Sequence, residues 1–151
     1  MKATRRTALK TTGAFATLVS LGIITQQQAM AAVDRAGFEA KSLADALKAV
    51  GGDAASNDQV SVVSPDIAEN GAVVPVGATS KIPNTTEIYL LVEKNPSPLA
   101  AKFIIPAGTA ADVQTRLRMG QSTNVVAVVK ADGKLYSATK ETKVTLGGCG
   151  G

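Results

Sequence analysis

Histidine and tryptophan are absent from the 151 residues, cysteine occurs once, tyrosine twice and phenylalanine three times. Without histidine no Ser–His–Asp or Cys–His pair can form, and no imidazole is available to hold zinc or copper. One thiol can build neither a cysteine-rich metal site nor an internal disulfide. Glycine-rich phosphate loops are missing, and the scattered carboxylates show no paired acid–base spacing. These absences argue against an independent enzyme, and no cofactor and no metal site is expected. The apolar stretch from Gly13 to Ile24 is about a dozen residues, against the roughly 20 that a membrane-spanning helix needs, so no permanent membrane anchor is expected.

That stretch has another reading. It follows Lys2, Arg5, Arg6 and Lys10, with no acidic residue among them, and it leads to Ala29-Met30-Ala31, a small-x-small pattern. Basic, apolar, small is the order of a cleaved export signal. Thr4-Arg5-Arg6-Thr7-Ala8-Leu9-Lys10 carries the adjacent arginines of a twin-arginine signal, with Ala8 where an aromatic is usual. Ordinary secretion is the alternative. Cleavage at Ala29 to Ala31 makes residues 1–31 the signal and leaves 120 residues with 12 basic and 12 acidic side chains. The basic pI of about 9.3 then belongs to the export segment, and no nucleic-acid partner is implied. An unpaired cysteine in an exported chain must be reactive, protected or joined to another molecule.

The remaining residues read as one domain, 32–146, with no internal repeat. From Gly37 to Val50 the apolar positions Phe38, Leu43, Ala46, Leu47 and Val50 recur at helical spacing, which predicts one short amphipathic helix closed by Gly51-Gly52. Beyond it, runs rich in Val, Ile, Leu and Thr recur between Gly, Pro, Asn and Asp, the pattern of an antiparallel sandwich or barrel. Strands are expected at Gln59–Val63, Ala72–Val76, Glu87–Lys94, Ala101–Ile105, Gln114–Met119, Val125–Lys130 and Lys134–Thr145, the last as one long strand or two. Asp132-Gly133 suits a tight hairpin with positive φ. The prolines are expected at edges and turns, with Asn95-Pro96-Ser97-Pro98 a stiff loop.

After Val144-Thr145-Leu146 the chain closes with Gly147-Gly148-Cys149-Gly150-Gly151. Glycine has no side chain to bury, so residues 147–151 are expected to form a mobile arm. Five extended residues reach about 17 Å, and only the thiol gives the arm width. Nothing beside Cys149 favours its thiolate, so its pKa is expected near or above the free value of about 8.5, with activation supplied by a partner. That arrangement suits a covalent carrier of a bound group.

The tail, the signal and several strand segments together resemble the SoxY family, the sulfur-carrier subunit of the periplasmic thiosulfate-oxidising system. The resemblance is carried by Gly147 to Gly151, by Ser64-Pro65 and Ile67 through Val76, and by Lys94-Asn95-Pro96. Weaker support comes from Leu117 to Met119, Val125 to Val129 and Lys143 to Thr145. It implies an immunoglobulin-like β-sandwich and a heterodimer with a SoxZ subunit. It also implies that Cys149 receives thiosulfate from a c-type cytochrome, loses sulfate to a di-manganese hydrolase, and meets a sulfane dehydrogenase in some organisms. Two other readings remain. One is a ubiquitin-like carrier that uses a Gly150-Gly151 thiocarboxylate, which requires ATP and leaves the cysteine without a task. The other is an exported β-sandwich binding module in which Cys149 is silent.

Overall fold

The computed structural model describes residues 35–145. The chain divides at Gly37, and all the strands belong to the unit that begins there. Helix α1 (Leu43–Val50) starts after Ser42, whose extended backbone ends one course of the chain and whose hydroxyl accepts the Asp45 N–H at 3.1 Å. Gly51, at φ 145°, ends it by donating to the Leu47 carbonyl. The single helix expected from Gly37 is therefore two pieces: 35–39 is helical, residues 40–42 are not, and the Ser42 cap starts a new helix.

Among the described residues nine strands follow: β1 (Ala55–Ser56), β2 (Val60–Val63), β3 (Ile67–Ala68), β4 (Val74–Ser80), β5 (Thr85–Val92), β6 (Leu99–Ile104), β7 (Asp112–Leu117), β8 (Thr123–Ala131) and β9 (Lys134–Val144). The larger sheet runs β1-β9-β8-β5-β6, with β3 also on β9, and the smaller runs β2-β4-β7. The seven longer strands are those that the residue pattern predicts, and β9 is one continuous strand. The pattern misses β1 and β3, which pair in parallel with β9 at Tyr136–Ser137 and at Lys143–Val144. Two residues carry no alternation to read. Asp132 and Gly133 both have positive φ, 49° and 73°, and their turn sets the β8–β9 register from Ala131↔Lys134 to Thr123↔Thr142.

The unbroken apolar runs of β5 and β8 have a physical cause: both strands are buried on both faces. Ile88, Leu90, Val92, Val125, Ala127 and Val129 meet Val60, Val74, Val76 and Ala78 of the smaller sheet. The alternate residues Tyr89, Leu91, Val126 and Val128 pack beneath Ala46 and Val50 of α1. Prolines fall mostly in turns, and Pro98 is buried in the β5–β6 loop, where its carbonyl accepts the Val92 N–H. Pro75 is the exception. It lies inside the central strand β4, opposite Arg116 of β7, but β2 is in register only from Gly77 onward, so no second neighbour needs its missing N–H.

The root of the cysteine tail

Cys149 with Gly147, Gly148, Gly150 and Gly151 lies outside the described residues, as do Arg5, Arg6, Ala29 and Ala31. The structure does describe the platform from which the tail departs. Chain direction places the β9 terminus at the same end as the starts of β4, β6 and β8 and the ends of β2, β5 and β7. The segment from Ser64 to Gly71 wraps that terminus.

Each of the last β9 residues is held separately. Thr142 is fully buried, and its hydroxyl donates to Ser64 Oγ at 2.9 Å. Lys143 N donates to the Asp66 carbonyl at 2.9 Å, and Thr145 N donates to the Ala68 carbonyl at 3.1 Å, continuing the β3 ladder. Val144 N, on the other edge, donates to Ser122 Oγ at 2.9 Å. Lys140 Nζ reaches the Ser64 carbonyl at 2.6 Å and the Asp66 carboxylate at 3.0 Å, tying the wrapping segment back to β9. Met119 N donates to the Gly71 carbonyl at 2.7 Å. A Cβ at Gly71 would lie 2.4 Å from the Met119 carbonyl oxygen and 2.9 Å from Val144 Cγ1. Only glycine fits there, and the reason is crowding.

Among the described residues no group of three or more His, Cys, Asp or Glu is placed to hold a metal ion. No helix among them is long and apolar enough to cross a membrane. A hollow of about 410 Å³, lined by residues that include Ser80, Lys81, Thr85, Thr86 and Thr109, opens at the hairpin end. Three of its hydroxyls are engaged locally: Ser80 Oγ lies 2.9 Å from Thr85 Oγ1, Thr85 donates to the Ile82 carbonyl, and Thr86 donates to the Lys130 carbonyl. The whole length of β9 separates it from the tail root.

Sequence reasoning alone does not find the root residues Ser64, Gly71, Lys140 and Thr142. The stretch from Ser64 to Val76 stands out only as a carrier of family likeness, and its contacts with β9 join residues more than 70 positions apart. The one local signal is the Asn70-Gly71 pair, where Asn70 Oδ1 accepts the Ala72 N–H at 3.0 Å.

The family described as sulfur oxidation protein SoxY matches residues 46–149. The chain belongs to the SoxY family. The sulfur carrier protein SoxY from Chlorobium limicola f thiosulfatophilum is 39% identical and superposes with a TM-score of 0.63, covering 70% of this chain and 97% of its own. A superoxide reductase from Ignicoccus hospitalis, 19% identical with a TM-score of 0.51, covers 58% of this chain and 80% of its own, and shares the fold alone. No curated protein matches. As a SoxY protein the chain is a sulfur carrier of sulfur oxidation. The sandwich expected from its strand pattern is the fold of that relative.

Proposed function

We propose that the chain carries sulfur covalently on Cys149 and presents it to successive enzymes of thiosulfate oxidation. One observation carries this reading: the family match runs to Cys149, the sole cysteine of the chain. In the loading step the Cys149 sulfur bonds to the outer sulfur of thiosulfate, the thiol proton leaves, and two electrons pass to a c-type cytochrome partner. Water then attacks the sulfonate sulfur at the di-manganese hydrolase, the S–S bond to that sulfur breaks, and sulfate and two protons depart. A persulfide anion remains on Cys149, and a sulfane dehydrogenase, where present, oxidises it further. None of these steps needs a base or metal from the carrier itself. Glycine on both sides of Cys149 leaves its sulfur approachable in a narrow channel.

The same reading assigns residues 1–31 to a twin-arginine export signal built on Arg5 and Arg6 and cut at Ala29 to Ala31. It assigns residues 32–146 to the carrier domain and 147–151 to the arm. The protein then acts in the periplasm as a heterodimer with SoxZ, itself non-catalytic. The mass of the intact natural protein, with and without reductant, tests the assignment, with reducible additions expected on Cys149 and nowhere else. Cys149→Ser is expected to abolish thiosulfate-dependent electron flow while leaving the unfolding midpoint unchanged. A silent Cys149→Ser would favour a plain binding module, and modification at the Gly151 carboxyl would favour the thiocarboxylate carrier.

A further inference from the structure

Successive residues of an antiparallel strand send their N–H and carbonyl groups to alternate sides, so a strand with one neighbour leaves every second residue unbonded along its outer edge. Among the described residues β7 pairs with β4 and with no other strand. The Ala111 carbonyl accepts the Ser80 N–H at 2.8 Å, and the Val113 carbonyl oxygen would lie 2.6 Å from a Cβ placed on Gly77. The odd-numbered residues of β7 therefore turn their backbone groups to β4, and Asp112, Gln114 and Arg116 turn theirs to the free edge. Those three also carry the exposed side chains of the strand.

Proteins blunt a free edge with a bulge, a proline or a very short strand, and the other marginal strands here show such devices. The β5–β6 pairing shifts register between Leu90 and Leu91, β2 has four residues and runs into Ser64-Pro65, and β1 has two. None of these protects β7, which has six residues, no proline and an unbroken register from Thr79↔Asp112 to Val74↔Leu117. It carries instead an ordered set of polar groups on its outer face: an acid at Asp112, an amide at Gln114 and a base at Arg116. Thr79 Oγ1 donates to Asp112 Oδ1 at 3.4 Å, a weak bond, and Arg116 makes no ion pair among the described residues.

We propose that this edge pairs with a second copy of the chain, β7 against β7 in antiparallel, about a twofold axis that passes through Gln114 normal to the smaller sheet. That axis sets Gln114 opposite Gln114, Asp112 opposite Arg116 and Arg116 opposite Asp112. Each facing pair exchanges both N–H···O=C bonds, with Cα atoms about 5.5 Å apart, and opposite charges on one face of such a pair attract. The charge order selects the register. A centre at Val113 or Thr115 leaves Arg116 opposite Ala110 or Gln114, and a centre at Asp112 or Arg116 sets like charges face to face. An unrelated strand would need the complementary order by chance, whereas a second copy has it by symmetry. The two strands run in opposite directions, so the two β9 termini leave the pair at opposite ends and both tails stay clear of the joint. The pairing uses no thiol and stands apart from the carrier reading of Cys149.

The test uses the natural protein, alone and with its partner subunit, after alkylation of Cys149 by iodoacetamide so that no disulfide contributes. Sedimentation equilibrium over a concentration series is expected to show a monomer–dimer equilibrium that weakens as salt rises. Asp112→Arg and Arg116→Asp each place like charges opposite one another across the axis, and each is expected to raise the dimer dissociation constant about tenfold or more. The double variant, Asp112→Arg with Arg116→Asp, restores opposite charges and is expected to pair as wild type does. Mixing the two single variants is expected to restore pairing between them. Amide exchange at Asp112, Gln114 and Arg116 is expected to slow with rising concentration, while Val113 and Thr115, already turned to β4, keep their rates. A wild type that stays monomeric up to about 1 mM, a double variant as weak as the single ones, or exchange independent of concentration overturns the proposal. Loss of the pairing when the partner subunit binds also overturns it and assigns the edge to that subunit.

Discussion

Thr142 and Ser64 share one interior hydrogen bond at the base of the tail, and neither hydroxyl has water as a ready substitute. Thr142→Val is expected to cost about 1 kcal/mol, because it leaves the Ser64 hydroxyl short of a donor. Adding Ser64→Ala is expected to cost less than the two changes summed, since the double variant has no orphaned group. Urea denaturation of the four proteins reads this directly, and strict additivity would contradict it. Gly71→Ala forces a Cβ against the Met119 carbonyl, and the strain is expected to cost about 1–3 kcal/mol in the same assay. This is where the sequence was least legible. Asn70-Gly71 reads as a turn, yet the need for glycine comes from Met119 and Val144, which reach it only after the chain has folded.

Elements defined by their own residues were legible, and elements defined by a neighbour were not. The β8–β9 hairpin is written in Asp132-Gly133, and both residues adopt the positive φ that the turn needs. Gly133→Ala is expected to destabilise by about 1 kcal/mol or slightly more, through left-handed strain alone, because a Cβ there meets nothing within 4 Å. A thermal midpoint equal to wild type would mean that the turn had changed type. The cap at Ser42 is equally local, yet the apolar spacing read from the sequence ran one helix straight through it from Gly37. Ser42→Ala is expected to lose about 1 kcal/mol, with faster amide exchange confined to α1. By contrast, β1 and β3 exist only because the outer edge of β9 offers unpaired groups at both ends. Nothing within Ala55-Ser56 or Ile67-Ala68 announces a strand.

At the scale of the whole molecule, two layers of apolar contact share the same pair of strands. Sandwich core and helix-covered core meet at β5 and β8, so the two cannot loosen independently. Amide exchange is expected to be slowest at Leu90, Leu91, Ala127 and Val128 and to approach the global unfolding free energy there. Appreciably faster exchange at those positions than in β4 would contradict a shared centre. Five consecutive apolar residues in each strand, 88–92 and 125–129, suit burial on both faces.

The uninterrupted course of β9 has a mechanical consequence. Its hydrogen bonds to β8 run from Lys134 to Thr142, lie across the strand axis, and are joined by β1 and β3 on the other edge. A pull on residue 149 along that axis loads all of them together in shear, where a pull across it would peel them one by one. On the carrier function proposed above, an enzyme that grips Cys149 and then lets go would tug along the direction in which those hydrogen bonds resist together.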